Sequence, residues 1–257
     1  MENFPTGNKA PTVTVIMPAY NAQAYIAETI DSVLRQTVAD WELLVLDYCS
    51  ADDTCAIVES FARQDNRITL IRNERNLGVA RTRNHGLEQS RGSYVAFLDS
   101  DDVWRPNKLE KQIARLEQTS GALCYSSYAI IRQDGRRDYA VPESISYEDI
   151  LKENVIGCST VVITAEIAKK YCFRPDFFHE DYAFWLQILK DGYLAVGCTE
   201  ILADWRYVEN SRSFNKWKSA QNRWSIYRKF LKLPFVKSLG LISAYTLAGL
   251  KKYGKGR

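Results

Sequence analysis

The chain has no long apolar run and no closely spaced cysteines. No stretch of its 257 residues is apolar over the roughly 18 positions that a membrane-spanning helix needs, and residues 1–9 lack the apolar core of a secretory signal. The six cysteines are scattered without a C-x-x-C pair, which favours buried free thiols over a zinc site or disulfides. We therefore expect a cytoplasmic protein in a reducing compartment.

Two nucleotide-binding signatures are missing as well. No G-x-G-x-x-G follows the first predicted strand and no G-x-x-x-x-G-K-[ST] occurs, so neither a dinucleotide cofactor nor a P-loop is expected. The net charge of +3 is too small to predict a nucleic-acid partner. A hydrophobic content of 46% with 25% charged residues is typical of a soluble globular protein.

The first hundred residues alternate between apolar runs and amphipathic segments. Strands are predicted at 13–17, 41–46, 68–71 and 94–98, and helices at 24–36, 54–63 and 79–89. This alternation predicts an α/β fold in which helices cover both faces of a mostly parallel sheet. Ligands bind beyond the carboxyl ends of such strands, so loops 18–21, 47–50 and 99–102 are expected to meet at one edge.

The second half is less regular. Helices are predicted at 106–118, at 147–153, after Asp181 and over most of 215–251, and strands at 122–132, 159–163 and 203–207. The pair Asp134-Gly135 predicts a hairpin turn.

Three carboxylates follow the fourth predicted strand within four positions: Asp99, Asp101 and Asp102. Clustered carboxylates repel one another unless a cation or several donors neutralise them. An Asp-rich turn can also cap a following helix, here the one that begins near Pro106. The residues alone leave both a cation site and a helix cap open.

Five segments follow one another along the chain: 15–21, 30–37, 76–80, 96–102 with a DXD motif at 99–101, and 180–182. Together they resemble the inverting family 2 glycosyltransferases of the bacterial surface-polysaccharide and O-antigen type. The resemblance covers about residues 12–210 and implies a GT-A fold, a single Rossmann-like α/β/α sandwich. It further implies a nucleotide-sugar-binding half at 1–104, an acceptor-binding half at 105–212 and a basic amphipathic helical extension at 213–257.

The same resemblance implies an activity and a set of site residues. The activity is inverting, metal-dependent transfer of a sugar, with UDP-hexose as the expected donor and a saccharide, plausibly linked to undecaprenyl diphosphate, as acceptor. The expected cation is Mn²⁺ or Mg²⁺, for which carboxylate oxygens are suitable ligands. The resemblance places Pro18, Ala19, Tyr20, Asp47, Arg83, Asp99 and Asp101 at the donor, Asp101 and Asp102 at the metal, Asp181 as catalytic base and Glu180 beside it, orienting the base or the acceptor.

Several of these positions have open alternatives. Asp99 contacts the metal or lies in the ribose region, and the resemblance leaves open which of Asp99, Asp101 and Asp102 touches the ion directly. The family commonly carries two adjacent aspartates after the second strand, the latter often contacting uracil, whereas here Asp47 is followed by Tyr48. Either Asp47 takes over that contact or stacking holds the base. Arg83 reaches donor phosphate or base, or is a solvated helix charge. Glu180 and Asp181 serve catalysis or accept hydrogen bonds from helix N-terminal amides.

The C-terminal segment 229–257 mixes lysine and arginine with apolar residues. This pattern is typical of an interfacial helix on an anionic inner leaflet, and equally of a helix packed on the domain or on a second subunit. Two other functions are open. One is a sugar nucleotidyltransferase, although the expected Gly-rich phosphate loop is missing after the first strand. The other is a non-catalytic saccharide-binding relative, at which the Tyr48 departure hints.

Overall fold

The computed structural model describes residues 10–207 and 216–253, and these form one ten-stranded sheet with helices on both faces. The strands are β1 Val13–Ala19, β2 Trp41–Asp47, β3 Ile68–Arg72, β4 Tyr94–Phe97, β5 Val103–Trp104, β6 Leu123–Arg132, β7 Gly135–Tyr139, β8 Ser144–Ile145, β9 Val162–Thr164 and β10 Ala195–Arg206. The helices are α1 Ile26–Leu34, α2 Thr54–Gln64, α3 Val79–Gln89, α4 Lys108–Thr119, α5 Tyr147–Lys152, α6 Ala165–Lys170, α7 Glu180–Lys190, α8 Lys216–Ser225 and α9 Phe235–Tyr253. A 3-10 turn lies at Cys158–Thr160, and α8 continues into a π-helical segment at Ile226–Phe230.

The strand order is β3-β2-β1-β4-β9-β6-β10-β5, with β7 paired to β6 and β8 to β10. β1 runs parallel to β2 and β4, β2 to β3, and β6 to β10, whereas β9 is antiparallel to both β4 and β6. The sheet is therefore mixed and mostly parallel, which confirms the predicted α/β/α architecture. Because β9 bridges β4 and β6, the two halves expected from the sequence share a single sheet.

The central strands contribute side chains to two hydrophobic cores, one on each face of the sheet. Val15 and Met17 of β1 pack into the core that contains residues of α1, α2 and α4, whereas Ile16 packs into the core with residues of α3, α5 and α7. Successive side chains of a strand point to opposite faces of a sheet, so a strand covered on both sides must be apolar at every position. This explains the uninterrupted apolar runs in the sequence.

The first seven predicted elements are confirmed to within two residues at each end. The second half departs further from its predictions. β10 was expected only at 203–207 but begins at Ala195, and its pairing with β6 shifts register between Cys198 and Ala203, which breaks the alternation of side chains. The strand expected at 159–163 begins instead as the 3-10 turn, and β9 follows it. No prediction covered the short elements β5, β8 and α6.

The C-terminal segment folds back onto the domain through a buried arginine. The guanidinium of Arg223 lies 4.3 Å from the ring centre of Tyr182 in α7 and 4.2 Å from that of Tyr245 in α9. It also donates a hydrogen bond to the Tyr227 hydroxyl at 3.2 Å, and that hydroxyl donates to the Leu151 carbonyl at 2.5 Å. α8 and α9 are thus tied to α5 and α7, as expected of a helix packed on the domain.

Only one face of α9 takes part in this packing. Ser238 and Leu241 are buried, whereas Phe235, Val236 and Leu239 are 58, 80 and 52% exposed. Among the residues described, no helix is long and apolar enough to cross a membrane. Residues 213–215 and 254–257 of the predicted extension, and residues 208–212 before it, lie outside the described residues.

All six cysteines are free thiols. Cys124 and Cys158 are buried, as expected for thiols in core elements, whereas Cys49 and Cys172 are exposed. The prediction that the cysteines are buried is therefore confirmed for only some of them.

Candidate active site

The carboxyl ends of β1 and β4 open into a cavity of about 540 Å³. Its walls come from the loops after β1, β2 and β4, the 3-10 turn, the start of α7 and the end of β10. Eight of the ten predicted site residues line it: Pro18, Tyr20, Arg83, Asp99, Asp101, Asp102, Glu180 and Asp181. The loops therefore meet at the sheet edge where the topology predicted a ligand site.

The other two, Ala19 and Asp47, are buried behind the cavity wall. The Asp47 carboxylate accepts hydrogen bonds from the amides of Cys49 at 3.0 Å and Ser50 at 3.1 Å. The Ala19 carbonyl accepts one from the Tyr48 amide at 3.1 Å. Both residues thus hold the loop after β2. The predicted contact between Asp47 and a bound base stays a prediction, and in this structure the carboxylate shapes the loop.

That loop presents Tyr48 to the cavity, where its ring stacks on Tyr20. The two ring centres are 5.1 Å apart and the planes differ by 16°. Tyr20 is 43% exposed, so this aromatic pair forms an accessible flat surface. Planar nucleobases stack favourably on such surfaces whatever their hydrogen-bonding pattern. Of the two alternatives for holding the base, the geometry supports stacking.

Asp102 anchors the acidic loop. It is buried, its Oδ2 accepts a hydrogen bond from the Ser159 hydroxyl at 2.5 Å, and its Oδ1 accepts one from the Arg206 amide at 3.0 Å. Burial, with the charges of Asp101 and Asp99, raises the pKa of Asp102 well above its usual range. Asp102 was predicted as a metal ligand, and that stays a prediction. In this structure each of its oxygens accepts a hydrogen bond from the protein, which fixes the loop against β10 and the 3-10 turn.

Asp99 and Asp101 also line the cavity, but unlike Asp102 they are partly exposed. Burial and the neighbouring charge of Asp99 raise the pKa of Asp101 to about 6, although Arg206 opposes the shift. Two nearby carboxylates that repel each other suit a hard divalent cation, because the cation favours their charged forms. Across 10–207 and 216–253, no three His, Cys, Asp or Glu side chains are arranged to hold a metal. A cation held by Asp99 and Asp101 would therefore take its other ligands from water and a bound phosphate.

Arg83 connects this acidic loop to α7. Its Nη2 donates to Asp99 Oδ1 at 2.5 Å and its Nη1 to Glu180 Oε1 at 2.7 Å. Burial alone would lower the pKa of the guanidinium, but the acidic groups of Cys158, Asp99, Glu180 and Asp181 raise it well above its usual range. Arg83 is buried, so the alternative of a solvated helix charge is wrong. It holds the two carboxylate groups of the cavity at a fixed spacing.

Asp181 lies in the first turn of α7. Burial first, and then the charge of Glu180, raise the pKa of Asp181 to about 6, while Arg83 and the Tyr182 amide oppose the shift. That amide donates to Asp181 Oδ1 at 2.7 Å, so the predicted interaction with helix amides also occurs. A carboxylate with a pKa near 6 is ionised at neutral pH and is more basic than an ordinary aspartate. Its position and its basicity both suit a general base.

Sequence reasoning missed three residues that shape the site. Arg206 ends β10 with its Nε donating to the Asp101 carbonyl at 3.0 Å, and Ser159 holds Asp102. Asn222 of α8 accepts a hydrogen bond from the Phe178 amide at 2.7 Å, just before the acids of α7. The position of Arg206 at the end of a predicted strand is only a weak indication that it belongs to the site. Asn222 lies 44 positions from its partner in a helical pattern, and nothing in the sequence marks it.

Comparison with known proteins agrees with this geometry. The family described as Glycosyl transferase family 2 matches residues 14–178. The chain is 41% identical over 248 residues to the Bacillus subtilis (strain 168) protein named "Putative teichuronic acid biosynthesis glycosyltransferase TuaG", covering 95% of this chain and 98% of that one. It is 39% identical over 243 residues, 94% of each chain, to the Escherichia coli UDP-Glc:alpha-D-GlcNAc-diphosphoundecaprenol beta-1,3-glucosyltransferase WfgD.

Solved structures share the fold at low sequence identity. S. aureus TarS 1–349 in complex with UDP-GlcNAc matches with a TM-score of 0.75 at 19% identity, covering 93% of this chain and 73% of that one. The mannosyltransferase PcManGT from Pyrobaculum calidifontis, in complex with GDP-Man and Mn²⁺, matches with a TM-score of 0.69 at 18% identity, covering 100% and 80%. These matches confirm the predicted GT-A fold.

Proposed function

The chain belongs to glycosyl transferase family 2 and is a glycosyltransferase, and we propose that it transfers a sugar, with inversion, from a nucleotide diphosphate to a saccharide acceptor. Acids suited to the two ends of that reaction line one cavity, which is the strongest support. Asp99 and Asp101 lie on the donor side, Asp181 lies at the start of α7, and Arg83 ties the two sides together. The alternatives of a nucleotidyltransferase and of a non-catalytic binding protein do not agree with this family.

The chemistry is a single displacement. Asp181 accepts the proton of the acceptor hydroxyl as its oxygen attacks the anomeric carbon, and the bond from that carbon to the nucleoside diphosphate breaks on the opposite face. Glu180, held by Arg83, keeps the first turn of α7 in place. One proton reaches Asp181 and one nucleoside diphosphate leaves for each sugar transferred.

The departing diphosphate needs positive charge beside it. A divalent cation, when bound by Asp99 and Asp101, supplies that charge. Arg206 adds a fixed cation at this side of the cavity, because its guanidinium bonds the Asp101 carbonyl and lies 4.9 Å from the ring centre of Tyr25.

We assign the donor to the UDP-sugars. The aromatic pair Tyr20 and Tyr48 supplies a platform for the base. The relative WfgD carries UDP-Glc in its name, and TarS 1–349 is solved with UDP-GlcNAc, which supports the same nucleotide here.

We assign the acceptor to lipid-linked saccharides of surface-polysaccharide synthesis, after the names of WfgD and TuaG. Such an acceptor lies at a membrane surface. The exposed residues Phe235, Val236 and Leu239 lie next to Lys232 and Lys237, a combination suited to the inner face of an anionic bilayer. Peripheral attachment through α9 is therefore part of the proposal, while its other face packs on the domain.

Donor turnover tests the proposed activity. The full chain is assayed against a panel of nucleotide sugars with Mn²⁺, Mg²⁺ or chelator, and release of the nucleoside diphosphate is measured. We expect UDP release that depends on the metal and is lost in Asp101→Asn, whereas Asp181→Asn should keep donor binding and lose transfer. Gln64→Glu, on the exposed end of α2, is the matched surface control. Metal-independent transfer would remove the cation from the proposal, and absence of binding to every nucleotide sugar would refute the donor assignment.

Membrane attachment needs a separate test on the full chain, because a truncation before α8 would also remove Asn222 and Arg223. Vesicles containing anionic lipid are sedimented with wild type and with Val236→Glu/Leu239→Glu. We expect the double variant to lose vesicle binding. The control Gln64→Glu/Asn66→Glu adds the same charge at exposed positions elsewhere. Equal sedimentation of all three proteins would exclude the α9 face.

A further inference from the structure

A cluster of reactive groups lies between α4 and the sheet, away from the acids described above. Lys108, Gln112 and Arg115 occupy one face of α4, because they are four and three positions apart. Across these helix residues lie Cys124 of β6 and Cys198 of β10, on neighbouring parallel strands. We call these five residues the α4 thiol cluster.

The two thiols approach each other closely. The Cys124 and Cys198 sulfurs are 3.6 Å apart, within reach of a sulfur hydrogen bond. Cys124 is buried, whereas Cys198 is partly exposed and so can be reached by small solutes from solvent. The Gln112 amide nitrogen donates to the Cys124 carbonyl at 3.1 Å and lies 3.6 Å from its sulfur, which fixes this side of the pair.

Two side-chain nitrogens of α4 make no hydrogen bond. Lys108 Nζ and Arg115 Nε are both buried without a hydrogen-bond partner in the part of the chain described, although Lys108 Nζ lies over the Trp104 ring and Arg115 Nη2 lies 3.9 Å from the Glu143 carboxylate. A buried nitrogen without a hydrogen bond is costly, and a thiolate beside it would offset part of that cost. An ordinary pair of core cysteines packs as small apolar residues and needs no such surroundings.

The electrostatics distinguish the two thiols. The hydrogen bond from Cys124, followed by the charges of Arg115 and Lys108, lowers the pKa of the Cys198 thiol against the effect of burial. The same hydrogen bond and burial raise the pKa of Cys124. Burial lowers the pKa of Lys108 to about 7, and the nearby thiols oppose that shift. Cys198 is thus the more acidic thiol of the pair, and it is also the one that is partly exposed.

We propose that Cys198 and Cys124 form a modification site at which a hydroperoxide oxidises Cys198 and Cys124 then closes a disulfide. The Cys198 thiolate attacks the peroxide oxygen, the O–O bond breaks, and a sulfenic acid and one alcohol (water, for hydrogen peroxide) result. The Cys124 sulfur then displaces the hydroxyl group, which leaves as water with the thiol proton. In sum, two thiols and one hydroperoxide give a disulfide, one alcohol and one water. This chemistry does not depend on the proposed sugar transfer.

The cluster is one hydrogen bond away from the cavity wall. Gln112 Nε2 also donates to the Thr160 carbonyl at 2.8 Å, and Thr160 lines the cavity. Lys108 Nζ lies 4.2 Å from the ring centre of Trp104, whose indole nitrogen donates to the Ser159 carbonyl at 2.7 Å. A change at the thiols therefore acts on the turn that holds the acidic loop.

Mass spectrometry of the full chain tests the site. Reduced protein is treated with hydrogen peroxide, the remaining thiols are alkylated, and the protein is digested and mapped. We expect a peptide pair joined through residues 124 and 198 and an intact mass lower by two hydrogen atoms. Cys124→Ser should stop at a sulfenic acid on Cys198, captured by dimedone, and Cys198→Ser should abolish the cross-link. The control Cys172→Ser removes an exposed thiol and should leave the cross-link unchanged.

Lys108→Met keeps an unbranched side chain of similar length but removes the charge. We expect alkylation of Cys198 at neutral pH to slow by about tenfold, as one unit of rise in its pKa would produce. Joining of other cysteines, or a Cys198 sulfenic acid that persists in the wild type, would overturn the proposal. The wild-type map alone decides this if a variant fails to fold.

Discussion

Replacing Arg83 by glutamine should strongly destabilise the fold. The change removes the cation that bonds Asp99 and Glu180, and it leaves the Glu180 carboxylate, whose side chain is only 8% exposed, buried without the guanidinium. Breaking a buried ion pair from one side costs about 3–5 kcal/mol. Asp99 is 35% exposed and can turn to water, so we attribute most of this loss to Glu180.

The matched control is Arg67→Gln. Arg67 also pairs with a carboxylate, Asp65 at 2.6 Å, and also lies over a ring, 3.8 Å from the centre of Trp41, but its side chain is 35% exposed. An exposed pair contributes about 0.2–1 kcal/mol and an exposed cation–π contact about 0.5–1 kcal/mol. We therefore expect a loss of roughly 1–2 kcal/mol from this change.

Urea unfolding at neutral pH, followed by circular dichroism, measures both changes through the midpoint and slope. The double variant Arg83→Gln/Glu180→Gln should recover part of the loss, because it also removes the buried negative charge. A cycle of the wild type, Arg83→Gln, Glu180→Gln and the double variant then gives the coupling energy. If Arg83→Gln costs no more than Arg67→Gln, or if the coupling is zero, the account of Arg83 as the link between the two acidic groups is wrong.

Three further predictions concern activity. The rate of sugar transfer should fall by about tenfold per pH unit below the Asp181 pKa of about 6, because the base must be ionised, and should level off above it; a rate that stays flat from pH 7 to pH 5 would exclude Asp181 as the base. Tyr48→Ala should weaken UDP binding by about 1–3 kcal/mol in calorimetry, the usual contribution of one base stacked on one ring, whereas Tyr48→Phe should bind as the wild type does; equal losses in both would point to the hydroxyl instead. Asn222→Ala should lower kcat but leave donor affinity unchanged, because it frees the turn before α7. The control Gln221→Ala, at an exposed neighbouring position, should change neither quantity. A loss of donor binding in Asn222→Ala would contradict the positioning role.

The donor side could be predicted from sequence because its determinants are local. Strands β1, β2 and β4 are largely apolar, and the residues that follow each strand reach the same edge by topology alone. The acidic loop was therefore found at once. The different surroundings of each acid could not be predicted. Asp102 differs from Asp101 through its hydrogen bonds with Ser159 and Arg206, which lie 57 and 104 positions away in the sequence.

The C-terminal segment shows a second limit of prediction from the sequence. Apolar residues at helical spacing predict an apolar face, but the spacing does not say what covers it. In α9 the buried Leu241 and the exposed Leu239 are two positions apart, and only the position of α5 and α7 decides between them. Arg223 would be read as a surface charge in any basic helix, yet it is buried between two tyrosine rings.

The bond between Phe178 and Asn222 also sets an order of events during synthesis. Ribosomes deliver the chain from its N-terminus, so the stacking rings and the acidic loop emerge more than a hundred residues before the helix that steadies the turn ahead of Asp181. The residues that stack on a nucleotide are therefore synthesised well before Asn222, which accepts a hydrogen bond from the Phe178 amide. The turn ahead of Asp181, the proposed base, is held by Asn222 only after α8 has been made.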